Sequence, residues 1–205
     1  DGTARETLAI ESMSAVPMAR GASAATPGVR ARVARLLIAA GDAAAGGTEL
    51  EAAVADGAVD PASLVAAFAH AGDAASPAAA LAVVRAYPES LRDCCRALVR
   101  SSRDLRALRG GIEQLPPSAL REALAAGVRA TLRASGDAWR RAEAAVEADP
   151  SRAPLEAMLL AAVAAADPAL VTRAAAEAPL QLDSEPQWHA SLARAFAETG
   201  ASVAA

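Results

Sequence analysis

Residues 60–88 read DPASLVAAFAHAGDAASPAAALAVVRAYP, and this stretch decides the fold. Asp60 puts a carboxylate oxygen ahead of Pro61, and Ser76 puts a hydroxyl ahead of Pro77. A capping oxygen followed by proline marks a helix start, because the N–H that proline lacks is one a helix leaves unpaired at its first turn. Gly72-Asp73 interrupts the first apolar run and Pro88 ends the second. The stretch therefore predicts helix 61–71, a tight turn, helix 77–87 and a proline turn.

The same unit recurs outward in both directions. Short breaks carrying Asp fall at Gly41-Asp42, Gly72-Asp73, Arg103-Asp104, Gly136-Asp137 and Ala166-Asp167, at intervals of 31, 31, 33 and 30 residues, and Gly200 is placed to start a sixth. Pro-marked turns separate them, at Pro61, Pro88, Pro116-Pro117, Pro150 and Pro179 to Pro186. Each period reads as helix, Asp turn, helix, Pro turn, and repetition at such a period is the signature of a stacked array. The first helices are expected at 29–40, 61–71, 91–102, 118–135, 153–166 and 186–199. The second helices are expected at 48–56, 77–87, 104–115, 137–148 and 168–178. Gly41, Gly57, Gly72 and Gly136 follow apolar runs, as left-handed residues past helix ends do. No alternating apolar run predicts a strand.

Helix faces agree with this scheme. Leu91, Cys94, Cys95, Leu98 and Val99 follow the spacing of one buried stripe, as do Val29, Val33, Leu36, Leu37 and Ala40. Alanine fills 62 of 205 positions, whereas Phe, Trp and Tyr together fill five. A core built on Ala is thin, so its helices must approach closely. Residues 1–27 hold one short helix at most and a Pro-, Gly- and Ser-containing segment, which reads as a partly extended N-terminal arm. Residues 28–205 read as the helical-repeat domain.

A helix–turn–helix unit of 30 to 33 residues whose first helix ends in Ala-Gly-Asp, as in residues 60–88, resembles the tetratricopeptide and pentatricopeptide superfamily. The resemblance covers about residues 28–200. It implies an all-α, right-handed α-solenoid of about five hairpins with a concave binding face, protein or RNA partners, and no cofactor.

Composition excludes several functions. The chain has no Lys, so a P-loop ATPase, a protein kinase of the usual plan and a Schiff-base enzyme each lack their ammonium. No G-x-S-x-G, H-E-x-x-H or G-x-G-x-x-G occurs, and His70 and His189 have no partner at metal-ligand spacing. The expectation is a protein that is not an enzyme. The longest uninterrupted apolar run, Ala157 to Ala166, falls well short of the roughly 20 residues of a membrane span. A soluble, intracellular protein is expected. The chain opens Asp1-Gly2 without a Met, as a processed form or a fragment does, and removal of a targeting segment for a mitochondrion or chloroplast is one expectation.

The formal charge of −4 is uneven. Residues 85–141 carry twelve Arg against six acids, a balance of +6, between flanks of −4 and −6. Within this basic middle, Arg92, Arg96, Arg100 and Arg103 fall on one arc of a single predicted helix, beside its apolar stripe. Four guanidiniums there suit phosphates, or the carboxylates of a protein partner. The alternative is a solvated face paired locally with Glu89 or Asp93. Cys94 and Cys95, neighbours pointing 100° apart on a helix, are expected as buried thiols rather than a disulfide. The five aromatics are expected as core fillers, and the turn aspartates as caps.

These readings converge on a non-catalytic scaffold subunit of a larger assembly, binding protein partners through its concave face, Arg-rich middle and arm. The alternative is a pentatricopeptide-like protein of an organelle that binds single-stranded RNA.

Overall fold

A computed structural model of the chain describes residues 77–200 and, before them, only isolated helical positions between 33 and 52. The arm (1–27), helices 29–40, 48–56 and 61–71, and His70, Phe68, Asp42 and Asp73 lie outside the described residues or are covered only at those isolated positions.

Among the described residues the protein is all-α, with eight α-helices and no strand. They are α1 (Pro77–Ala86), α2 (Leu91–Ser101), α3 (Leu105–Glu113), α4 (Ala119–Thr131), α5 (Ser135–Ala148), α6 (Arg152–Ala165), α7 (Pro168–Ala176) and α8 (Pro186–Glu198). Single 3-10 turns at Pro88–Ser90 and Leu182–Ser184 join α1 to α2 and α7 to α8.

The starts follow from capping chemistry. The Asp104 carboxylate accepts from the N–H groups of Arg106 and Ala107 at 2.8 and 3.2 Å, and Asp167 accepts from Ala169 N–H at 2.9 Å ahead of Pro168. The Ser118 hydroxyl accepts from Arg121 N–H at 3.1 Å. Each satisfies donors that the first turn leaves without partners.

One expected stop is corrected. Gly136 lies inside α5, and the left-handed residue that ends α4 is Arg133, at φ 60°. Ala134 N–H bonds Arg129 C=O at 2.9 Å and Arg133 N–H bonds Ala130 C=O at 2.9 Å, closing the helix end in the pattern that glycine usually serves. That closure stops α4 at Thr131, short of the expected residue 135. Ala166, at φ 53°, ends α6 in the same way.

α6 organises the body. Every residue from Arg152 to Ala162 is buried, so the helix reaches water only at its last turn. It packs against α2, α4, α5, α7, α8 and the turn at Pro88–Ser90. A helix whose apolar residues run around its whole circumference must be covered on all sides, and its two charged residues, Arg152 and Glu156, must find partners inside. Contacts of α2 with α4, α4 with α6 and α6 with α8 are those a row of hairpins would make. The contact of α2 with α6, and an ion pair from Arg92 on α2 to Glu198 on α8, go further. An open ribbon would hold α2 and α8 apart; here the helices roll up around α6.

Small residues permit that closeness. α4 buries Ala123, Ala125, Ala126 and Gly127, and α5 buries Ala138, Ala142 and Ala145, so these two backbones approach closely over their whole length. At Gly127 a β-carbon would lie 2.6 Å from Cys95 Sγ on α2, 3.5 Å from Leu160 Cδ1 on α6 and 3.6 Å from Leu91 Cγ. Three helices converge on a position that has no side chain.

Among the described residues, charge is buried in one place. Arg152 Nη1 donates to Glu185 Oε2 at 2.8 Å and to Gln187 Oε1 at 3.1 Å, while its Nε and Nη2 reach Glu156 Oε1 at 3.4 Å. Ser191 Oγ donates to the same Glu156 oxygen at 2.7 Å. This set fastens the start of α6 to α8. Burial pushes the Glu156 carboxyl above its ordinary value of 4.5, against the opposing pull of the Ser191 hydroxyl and the Arg152 guanidinium.

Two measurements check this packing. Gly127→Ala gains helix propensity of about 1 kcal/mol but crowds a filled core at a cost of about 1–3 kcal/mol, so net destabilisation is expected in urea unfolding. Cys95→Ala removes the colliding sulfur, and the double variant should be more stable than the two single effects summed; strict additivity would contradict the contact. For Glu156 the folded carboxyl binds its proton more tightly than the unfolded one. The stability of the protein relative to its Glu156→Gln variant should therefore rise as pH falls from neutral toward 4.5, and a fall would reverse the assignment.

Candidate functional site

Part of the basic middle is neutralised within the fold. Arg129 Nε meets Asp137 Oδ2 at 2.5 Å, Arg141 meets Glu113 at 2.9 Å and Glu122 at 2.8 Å, and Arg121 meets Glu122 at 2.5 Å. Arg140 also lies 3.4 Å from Asp137. These pairs tie α3, α4 and α5 together. They also correct the role expected of Asp137, which lies in the first turn of α5 and holds arginines rather than capping the helix.

Three further arginines, Arg92, Arg96 and Arg133, line one cavity of about 180 Å³, open to solvent, together with Ala130, Thr131, Leu160, Val163, Ala164 and Glu198. Arg92 and Arg96 come from successive turns of α2, four residues apart and so on one face. Arg133 comes from the left-handed turn after α4, and Glu198 is the last residue of α8. Arg92 Nη1 donates to Glu198 Oε1 at 2.5 Å, and the Arg92 side chain is only 12% exposed. Arg96 and Arg133 are exposed, and neither has a carboxylate within 4.0 Å. The Thr131 hydroxyl donates to Gly127 C=O at 2.8 Å, so the hydrogen-bond donors offered to the cavity by side chains are guanidinium N–H groups.

The arginine cluster read from sequence is thus divided. Arg92 and Arg96 reach the cavity. Arg100 is exposed near the end of α2 and lies outside it. Arg103 is not on the helix at all: α2 ends at Ser101, Ser102 is extended with its hydroxyl donating to Asp104 C=O at 2.9 Å, and Arg103 follows in the turn. Local pairing with Glu89 or Asp93 does not describe Arg92, whose carboxylate partner is 106 residues away. Arg133 has no signature in sequence, since a continuous helix through residue 135 would have carried it elsewhere.

Other candidates have structural explanations. Cys94 and Cys95 are buried and unlinked; burial pushes the Cys94 thiol up to about 12 and raises Cys95 well above its usual value, so neither is a thiolate near neutral pH. Trp188 is buried, and the guanidinium of Arg173 sits 5.6 Å from the ring centroid of half-buried Trp139. Exposed His189 contacts Asp183 C=O through Nε2 at 2.8 Å. A cavity of about 290 Å³ lined by Glu143, Glu147, Glu177, Arg173, Val146, Pro150 and Met158 is mainly acidic, and another of about 350 Å³ borders Arg152, whose guanidinium is already engaged. Among the described residues no group of three His, Cys, Asp or Glu side chains is placed to hold a metal ion, and no helix is long and apolar enough to cross a membrane.

No family model, curated protein or solved structure matches the chain.

Arg133 occupies a backbone conformation that costs a residue with a side chain about 1 kcal/mol. Arg133→Gly is expected to raise stability by about 0.5–1 kcal/mol in urea unfolding, and Ala166→Gly should do the same at the equivalent turn. A destabilised Arg133→Gly protein would mean that its side chain is held by the fold.

Proposed function

We propose that the protein is a non-catalytic interaction subunit that docks on a larger assembly by seating an anionic group of a protein partner in the Arg92–Arg96–Arg133 cavity. The observation that carries this reading is the lining of one open cavity by three arginines from two separate elements, of which only Arg92 has a carboxylate partner among the described residues. Charges left exposed in this way steer a partner of opposite sign and fix its orientation. The apolar wall of Leu160, Val163 and Ala164 adds contact area beside the charge.

The same reading takes the fold as a tightly wound array of helical hairpins, in which the α2–α8 closure brings the first and last described hairpins to the two sides of the cavity. Binding of single-stranded RNA is the less favoured reading. Such proteins stack bases on aromatic side chains, and no aromatic lines this cavity.

Co-purification of the full chain from native lysate after mild crosslinking tests the proposal. A partner should be recovered with the unaltered protein, and its recovery should fall about tenfold or more in Arg96→Glu/Arg133→Glu and decline with added salt. A protein that runs alone, or a partner retained by the doubly reversed variant, would refute the docking role.

A further inference from the structure

We propose that the Arg92–Arg96–Arg133 cavity is a receptor for a phosphomonoester, specifically the phosphoryl group of a phosphorylated serine or threonine on the protein partner, with Glu198 as a resident counter-charge. This inference rests on the docking role proposed above and names the chemistry the cavity recognises.

Charge is the first argument. Three arginines and one glutamate leave the cavity at +2. A phosphomonoester carries about −1.5 to −2 near neutral pH, whereas a carboxylate or one internucleotide phosphate carries −1. Only the first comes close to cancelling what the cavity presents.

Geometry is the second argument. The guanidiniums approach from two elements, the face of α2 and the turn after α4, and every donor is an arginine fork. Three terminal oxygens arranged as a tetrahedron can engage forks from several directions, while a planar carboxylate is satisfied by one. The apolar residues Ala130, Leu160, Val163 and Ala164 supply a wall for the carbon chain that carries the ester.

Glu198 is the third. A carboxylate at the C-terminal end of α8 faces the negative end of its own helix dipole, so it gains nothing from the helix that carries it. Its compensation comes from Arg92, at 2.5 Å. An incoming phosphoryl group competes for that same guanidinium, and its arrival displaces or shares Arg92 with Glu198. One of the three guanidiniums is therefore already engaged by a weaker internal anion. A polyanionic RNA strand would meet the same carboxylate with no base stacking to offset the repulsion.

The test is a titration of the full chain at low salt with a short capped peptide of alanine and glycine around one phosphoserine. The matched peptides carry serine or glutamate at that position, and a short oligouridylate is the fourth probe. The phosphoserine peptide should bind at least about tenfold more tightly than the glutamate peptide, with the serine peptide not binding. Arg96→Ala and Arg133→Gly should each weaken it about tenfold, and Glu198→Gln should strengthen it several-fold. Arg96 is exposed, and Arg133→Gly relieves its backbone, so loss of binding in either is not loss of fold. Equal binding of the glutamate peptide, tighter binding of the oligouridylate, or indifference to Arg96→Ala and Arg133→Gly would each overturn the assignment. A partner that is recovered through Arg96 and Arg133, yet stays bound after phosphatase treatment, would leave the docking role standing and remove the phosphoryl chemistry.

Discussion

The absence of a side chain at position 127 is the constraint on which the arrangement of α2, α4 and α6 depends. Cys95 sulfur occupies the space a β-carbon would need, and Leu160 and Leu91 close in from the other sides. Dispersion contacts are short-ranged, so a core of alanines contributes little unless backbones come within reach of one another. Here they do, because α4 and α5 meet through Ala and Gly along their buried faces. The scarcity of large side chains sets a requirement for closeness, and Gly127 meets it where three helices converge.

Electrostatics follows from this packing. Helices held so close bring Glu113, Glu122 and Asp137 to the arginines of α4 and α5, and part of the positive charge of the chain's middle is neutralised there. Exposed pairs of this kind contribute little each, but together they decide where charge is left over. Some of the charge left over falls at Arg96 and Arg133, around a cavity whose third arginine is partly occupied by Glu198.

Much of the helix order was legible in the sequence because it is written in local chemistry. Asp104 and Asp167 cap as their positions imply, and Pro168 and Pro186 stand at helix starts. The buried thiols and the stripe of Leu91, Cys94, Cys95 and Leu98 also follow from spacing alone. Three features were not legible. The turn after α4 is left-handed at Arg133 while Gly136 three residues on would accept that conformation more readily, so the glycine signal pointed to the wrong residue. Asp137 has the recurrence of a cap and serves as an ion-pair partner. The third is the approach of α2 to α8, which no local pattern encodes; it depends on the packing around α6, and with it Arg133 and Glu198 come to join Arg92 and Arg96.

The burial of α6 on every side bears on how the molecule comes apart. In a linear stack each unit leans only on its neighbours, and the ends can fray while the middle stays ordered. A central rod that touches five other helices admits no such stepwise loosening, because exposing it requires several neighbours to leave together. The helices packed directly on α6 are then expected to melt together with it. The surface can lose a side chain, or a ligand, without the disturbance spreading inward.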